Sequence, residues 1–501
     1  EPYVGSTSSH SLYARADWAN RFTAGFFRHS FTSLTSTGDP PAMTRYQQSS
    51  QWQSTSDTFY GRWHFNPAPD VQAQLLIDHS RMEVDPKARY NNTFSNYQDS
   101  YSYELGKRTG VEQSLNWRIN ERQQLQTGLG WQKYYAAVGA SLPHPYDTGK
   151  PAHGQGFIYP NTTLPLQIHD DGFRNLSAYA QLQSQWSDAF STSAGVRVDH
   201  HSRYGTAVNP RLGAVYKPQE QHVFKLLYGE AFRVPSPEES LSAFGMLDGS
   251  TDAQGNYIGN NFRIPNFGLN PEKSRTISAA WDWRPAPSLN LNAHLYHSRI
   301  TNLVVTQGSN NVNAIAGAIL IRPETKGNAG RQQQQGLDLS AQWRFRMGSD
   351  WAGDLWGSAS WIHGRVDEGS GVDWDIPQIA NHKLKLGTTL RWRDQFSITP
   401  KIYWTGDVTN GRKQPPTDPL LPQGACQAGM AAPARCRTPG YTLVDLHLGW
   451  HKLLDGHATL WLDVYNLLDR RYYAAGGAGS RTFLDMPQQP RTWVVTLDYR
   501  F

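Results

Sequence analysis

The sequence predicts an all-β protein: a transmembrane antiparallel up-and-down barrel of about nineteen visible strands. Three observations carry the prediction. The last eleven residues alternate strictly, with Trp493, Val495, Leu497, Tyr499 and Phe501 on one face and Thr492, Val494, Thr496, Asp498 and Arg500 on the other. Period-2 alternation of this kind recurs along the chain without any helix-period segment to cover it. Connections between the strands fall alternately into short and long classes, as they do when one barrel rim carries turns and the other carries loops.

The elements follow in order. Short connections are predicted at Trp18 to Arg21, Asn66 to Asp70, Asn120 to Arg122, Ser187 to Ala189, Lys217 to Gln221, Arg284 to Ser288, Met347 to Asp350, Trp392 to Gln395 and Leu453 to Gly456. Between them lie connections at 32–56, 83–109, 136–173, 201–208, 233–272, 304–333, 364–381, 406–440 and 467–490, most of them long. Ala178, Ala180, Leu182 and Trp186 oppose Tyr179, Gln181, Gln183 and Gln185, and Val196 and Val198 oppose Arg197 and Asp199. Thr442, Val444, Leu446, Leu448 and Trp450 oppose Asp445, His447, Gly449 and His451, so the charge again stays on one face. An odd strand count makes the first and last strands run parallel.

Composition agrees with this class. Mean hydropathy is -0.61 and no apolar run approaches the roughly 18 residues of a spanning helix, which excludes a helical membrane protein but not a barrel. The 18 Trp and 24 Tyr suit girdles at two membrane interfaces. A net charge of +5, with no Lys/Arg block, argues against nucleic acid as a partner. Of the 47 basic residues 34 are Arg and 13 Lys, which fits either an anion-recognising lining or Arg–acid ladders along a barrel wall. Cys426 and Cys436, inside a Pro/Gly/Ala-rich stretch, are expected to close one loop as a disulfide in an oxidising compartment. One domain over 1–501 is expected, because no composition break divides it.

Ordered motifs then add a family resemblance. Tyr-Gly-Glu-Ala-Phe-Arg-Val-Pro-Ser at 228–236 is followed by Leu-Asn-Pro-Glu-Lys-Ser at 269–274, Asn328 with Gly336-Leu-Asp-Leu, and Asn381-His-Lys-Leu. Asp463-Val-Tyr-Asn-Leu-Leu-Asp469 with Tyr472-Tyr473 and the aromatic ending complete the series. In this order the chain resembles the barrel of TonB-dependent outer-membrane receptors, strongly over 172–501 and weakly before. The resemblance implies a barrel of about 22 strands, of which this chain would be the C-terminal part. About three strands and an N-terminal plug that meets an inner-membrane TonB-type coupling protein are therefore expected outside the sequence. Tyr499 and Phe501 resemble the barrel-assembly signal of outer-membrane proteins.

The function so implied is energy-dependent uptake of a scarce metal chelate, most commonly a ferric siderophore, by a monomer in the lipid of a Gram-negative outer membrane, with no enzyme activity and no cofactor. Candidate ligand contacts in exterior loops are Tyr134, Tyr135, Tyr146, Phe157, Phe244, Tyr257, Phe262, Phe267 and Trp374. Arg233 is a further candidate, but Pro235 two residues on cannot donate to a ladder, which favours a structural anchor where the strand leaves the wall. Haem is disfavoured because 236–269 contains no His, and copper because the chain has 6 Met. Cobalamin stays open, with Asp248 and Asp252 the only hint of an acidic calcium loop, and a passive porin is the other alternative. His200 and His201 beside Asp199 fall on opposite faces, and His169 with Asp170 and Asp171 fits a polar turn better than a metal site.

Overall fold

The structure is a computed structural model that describes residues 8–34, 51–90, 99–152, 155–159, 161–166, 168–308, 316–321, 323–369, 371, 373–409, 437–475 and 485–500. Nineteen strands form one antiparallel meander. They begin with β1 (Ser8–Trp18), β2 (Phe22–Leu34), β3 (Gln51–Ala68), β4 (Val71–Val84), β5 (Ser100–Asn120) and β6 (Gln123–Leu142). Next come β7 (His169–Gln185), β8 (Phe190–His201), β9 (Gly205–Gln219), β10 (His222–Arg233), β11 (Glu272–Ala286), β12 (Leu289–Gly308) and β13 (Glu324–Met347). The series ends with β14 (Trp351–Glu368), β15 (His382–Trp392), β16 (Phe396–Thr405), β17 (Tyr441–Leu453), β18 (Ala458–Tyr465) and β19 (Thr492–Tyr499). Each pairs with its neighbours in sequence, and among the described residues no ladder joins β1 to β19.

Register shows why alternation in sequence becomes two chemically different surfaces. One row of cross-strand partners runs Ala214, Leu226, Ala279, Leu295, Leu337 and Trp361. The row one residue away runs Lys225, Ala280, His294, Asp338, Ser360 and Lys383. Successive side chains point to opposite faces, so the first row belongs to an apolar face and the second to a polar one. Leu226 and Leu295 are more than half exposed, as a face meant for hydrocarbon must be when no second layer covers it. Trp493, Val495 and Leu497 continue that face at 58%, 68% and 63% exposure.

On the polar face the charges brace one another, across strands and, for Arg197 and Asp199 on β8, along one. Arg108 donates to Asp78 at 2.5 Å, Arg197 to Asp199 at 2.8 Å, Lys225 to Asp282 at 2.7 Å and Arg391 to Asp354 at 2.7 Å. These are the Arg–acid ladders that the Arg-rich composition allowed. The turn rim carries an aromatic row in which Trp18 pairs with Phe22 and Phe22 with Trp63, and farther round Trp351, Trp392, Phe396 and Trp450 are successive partners. That position is an interfacial girdle. Asn20, Asp394 and Asp455 take positive φ near 53°, 53° and 58° in the tight turns there, a conformation Asn and Asp tolerate.

Two expectations change at the loop rim. Strands run farther than alternation of apolar residues suggested: β5 starts at Ser100, β6 reaches Leu142, β12 reaches Gly308 and β13 starts at Glu324. On β13 the reason is that the outward face turns polar, at Arg331 and Gln333, while the backbone ladder continues, so the hydrophobic signal stops before the strand does. Tyr134 and Tyr135 consequently stand on strand β6 and not in a loop. The expected connection at 201–208 shrinks to residues 202–204 between β8 and β9.

Candidate functional site

Loop-rim residues build a hydrophobic core. Tyr103, Ala137, Leu142, Ala152, Tyr159, Leu164, Ile168, Phe262 and Ala318 are buried together, with Tyr101, Leu105, Tyr135, Tyr146, Leu247 and Leu320 packed against them. Residues from several separate connections thus meet in one place, which converts long loops into a fixed surface. Tyr146 stacks on Tyr103 with centroids 3.8 Å apart, and Tyr159 meets Phe262 edge-on at 6.0 Å. The Tyr159 hydroxyl donates to the Gly245 carbonyl, and burial pushes its pKa well above the ordinary phenol range. Burial also raises the Tyr146 phenol, with the Asp170 charge adding to it.

The structure places the sequence candidates as follows. Tyr135 donates to Asp170 at 3.0 Å, and with Tyr146 and Phe262 it belongs to this loop core. Tyr257 lies on the strand Tyr257–Ile264, which pairs parallel with Ala318–Ile321, and its hydroxyl accepts from Asn161 at 3.3 Å. Phe267 is exposed, touches His169 edge-on at 5.3 Å, and its carbonyl accepts from Arg203 at 3.1 Å. Phe157, Phe244 and Trp374 lie on the short strands Phe157–Ile158, Phe244–Thr251 and Trp374–Asp375, and only their backbone is described. Cys426, Cys436, Phe501 and the Asp248 side chain lie outside the described residues; Tyr499 stands half-exposed at the end of β19.

Arg233 holds a junction. Its guanidinium donates to both Glu272 oxygens at 2.7 Å and to both Glu239 oxygens at 2.9 and 3.0 Å. Glu239 also closes a capping box with Ser236 at the start of the short helix α1 (Pro237–Leu241). Burial raises the Glu239 pKa, but Arg233 and the Ser236 N–H outweigh it and leave the carboxyl below its ordinary value. Nearby, Asn328 accepts from the Asn270 N–H at 2.7 Å and donates to the Asn270 and Asn302 carbonyls at 2.7 and 2.8 Å. The 228–236 and 269–274 motifs and Asn328 therefore fasten the place where β10 leaves the wall and β11 re-enters it. The Asp463–Asp469 motif works alike: Asn466 accepts from the Arg470 N–H at 2.8 Å and Asp469 from the Arg491 N–H at 3.0 Å. Asp252 is engaged within its own turn, accepting from Gln254 and Asn256, and these bonds hold its pKa down.

One place on the polar face collects recognition chemistry. Tyr134 stacks on Phe173 at 4.8 Å, Phe173 meets His201 at 4.8 Å, and His201 meets Tyr204 at 4.8 Å. Beside this run of rings is a cavity of 440 Å³ bounded by Tyr134, Phe173, His201, Arg108 and the Phe232–Pro237 corner. Phe173, His201, Tyr204 and Arg108 were not singled out from sequence as contacts. Phe173 was detectable in principle, since it is the direct cross-strand partner of Tyr134. The two neighbouring histidines do divide between faces: His200 bonds Thr206 at 2.9 Å while His201 joins the rings.

A nineteen-strand meander with an apolar flank, a polar charged flank, an aromatic rim and one looped rim defines an outer-membrane β-barrel transport protein. The family model "TonB dependent receptor-like, beta-barrel" matches residues 3–467, and the chain belongs to that family. It is accordingly a protein of the Gram-negative outer membrane, a transporter and not an enzyme. Among solved structures it is similar to the ferric-catecholate import receptor Fiu from K12 E. coli in its closed form (TM-score 0.65, 14% identity, 99% of this chain and 75% of that one). It is also similar to the siderophore receptor PirA from Acinetobacter baumannii (TM-score 0.71, 12% identity, 99% and 71%) and to the copper transporter OprC (TM-score 0.63, 14% identity, 99% and 72%). No curated protein is significantly similar in sequence.

Proposed function

We propose that this transporter takes up a ferric siderophore, with the inner-membrane TonB-type coupling protein supplying energy through a plug. The observation that carries the reading is the run Tyr134, Phe173, His201 and Tyr204 beside Arg108 at the loop end of the polar face. Flat aromatic faces and a guanidinium suit an anionic chelate with an organic periphery. A 440 Å³ cavity falls within the range of roughly 300–1,000 Å³ that small-molecule sites occupy. Fiu and PirA are described as ferric-catecholate and siderophore receptors, which is in line with this cargo. OprC is described as a copper transporter, but 6 Met in the chain give little soft-ligand capacity.

Transport of this kind is differential binding: exterior groups capture the cargo and an energised conformational change empties the site. The test is quenching of intrinsic tryptophan fluorescence in the full-length protein by a panel of ferric catecholates and hydroxamates, with cupric ion and cobalamin as controls. The reading predicts tight quenching by at least one ferric chelate and at least roughly ten-fold weaker binding in Tyr134→Ala and Arg108→Gln. Binding of cupric ion or cobalamin alone, or a steady open pore in bilayers, would overturn it.

A further inference from the structure

The cavity beside the ring run is bordered by two residues that each carry a polar atom no described residue satisfies. Asn175 on β7 and His201 on β8 are direct cross-strand partners on the polar face, and both line the 440 Å³ space. The Asn175 amide nitrogen donates to Asp199 at 3.0 Å. Asp199, itself 2% exposed, also takes two bonds from Arg197 at 2.8 and 2.9 Å, so the carboxylate is fixed and the Asn175 oxygen is turned away from it. His201, 4% exposed, accepts the Arg203 N–H at Nδ1 over 3.1 Å. A ring nitrogen that accepts carries no proton, so the proton of His201 sits on Nε2. Among the described residues Asn175 Oδ1 and His201 Nε2 have no hydrogen-bond partner, and both are shielded from solvent.

Buried polar groups are ordinarily paired, because an orphan keeps the full cost of leaving water. Two orphans side by side define a guest by its polarity. Cross-strand partners hold their side chains about 5 Å apart, so one small group can reach both. A carboxylate would satisfy the His201 N–H but meet the Asn175 oxygen and the Asp199 charge behind it. An ammonium would suit the oxygen and clash with the N–H. What fits is neutral and carries a donor and an acceptor on one side, as the N–H and C=O of one residue in an extended peptide do. The charge of Arg108 on the same wall is already met by Asp78 through two bonds, at 3.0 and 2.5 Å, which also favours an uncharged group inside the cavity.

We infer that the cavity is a subsite for a peptide-backboned arm of the chelate, with His201 Nε2 donating to a carbonyl and Asn175 Oδ1 accepting the N–H of the same residue. The inference rests on the ferric-chelate reading above and narrows its cargo to chelates whose iron-binding groups hang on a peptide. Phe173 and Tyr204 both lie 4.8 Å from His201, and rotation of Phe173, which borders the cavity, admits the arm to the two shielded atoms. Relief of two unpaired groups is realised only when an amide arrives, so the pair sets selectivity between cargoes.

The test compares two synthetic ferric tris-hydroxamates with the same iron coordination, one carrying its hydroxamates on a tripeptide backbone and the other on a polyether scaffold without amide N–H. Equilibrium dialysis with radiolabelled iron measures each against the full-length protein in detergent. Wild type binds the peptide complex about ten-fold or more tightly than the polyether one, and N-methylation of the peptide backbone lowers that preference at least about three-fold. In His201→Phe and in Asn175→Leu, each shown to be folded by resistance to SDS before heating, the ratio of the two affinities also falls at least about three-fold. Equal binding of the two complexes by wild type, binding only of ferric chelates without a peptide backbone, or a preference that survives N-methylation or both substitutions overturns the inference and leaves ferric-chelate uptake standing. Binding of no ferric chelate at all overturns the uptake reading, and this inference with it.

Discussion

Replacing Arg233 by Ala removes a cation that ties β10, α1 and β11 together. Four charge-assisted hydrogen bonds disappear, two to Glu272 and two to Glu239. An exposed ion pair is worth up to about 1 kcal/mol, whereas orphaning one partner of a buried pair costs about 3–5 kcal/mol. Arg233 itself is half-exposed, but the Glu272 side chain is only 9% accessible and retains just the Val304 N–H at 2.8 Å as compensation. The cost should therefore lie between the two limits, about 3 kcal/mol. Because α1 and the 234–271 connection hang on this junction, the loss should appear first as local opening. Limited proteolysis of the folded protein in detergent should cut Arg233→Ala within 234–271 under conditions that leave wild type intact. Arg233→Ala/Glu272→Gln should recover about 1 kcal/mol by discharging the orphan carboxylate. If Arg233→Ala is cut no faster than wild type and unfolds at the same temperature, the anchor reasoning is wrong.

Nitroxides placed at Leu295 or Leu337 in proteoliposomes should be relaxed by oxygen dissolved in lipid, and those at His294 or Asp338 by a water-soluble nickel chelate; the same relaxant winning at all four sites would contradict the two-face assignment. Glu239 has a folded-state pKa below its ordinary value near 4.5, so its contribution is complete above that value and is lost as pH falls through the lower, folded one. Protease protection of 234–271 should therefore persist from neutral pH down to about 4.5 and fade below it; loss already near neutrality would refute the assignment. Gly317 adopts φ 79°, and a Cβ there would sit 2.3 Å from the Asn161 carbonyl oxygen. Gly317→Ala should loosen the contact by about 2 kcal/mol, seen as faster amide exchange in 161–166 with the wall strands unchanged.

The wall was legible because its physics is local. Alternation along β17, with Leu446, Leu448 and Trp450 against Asp445, His447 and His451, needs only neighbouring residues, and the ladders place them as expected. The count of about nineteen strands and the alternation of turns and loops held for the same reason. Strand ends at the loop rim on β13 and β14 escaped because Arg331, Gln333 and Arg365 continue an outward face without apolar residues, so a ladder maintained by backbone hydrogen bonds had no hydrophobic signature. The loop core escaped because Tyr103, Tyr159, Phe262 and Ala318 come from distant connections and share no period. Arg233 was anticipated as an anchor from Pro235, but its partners Glu239 and Glu272 lie 6 and 39 residues away, and only the fold brings them together. Phe173 and His201 were masked by an expected loop that turned out to be strand.

The central claim is energised uptake of a ferric chelate, and its most direct measurement is entry of radiolabelled iron, supplied as the ferric siderophore that binds the purified protein best. Iron-starved cells carrying the intact gene should accumulate label, cells lacking it should not, and collapsing the proton-motive force should stop accumulation. Equal accumulation in the deletion strain, or uptake indifferent to a protonophore, would contradict the account.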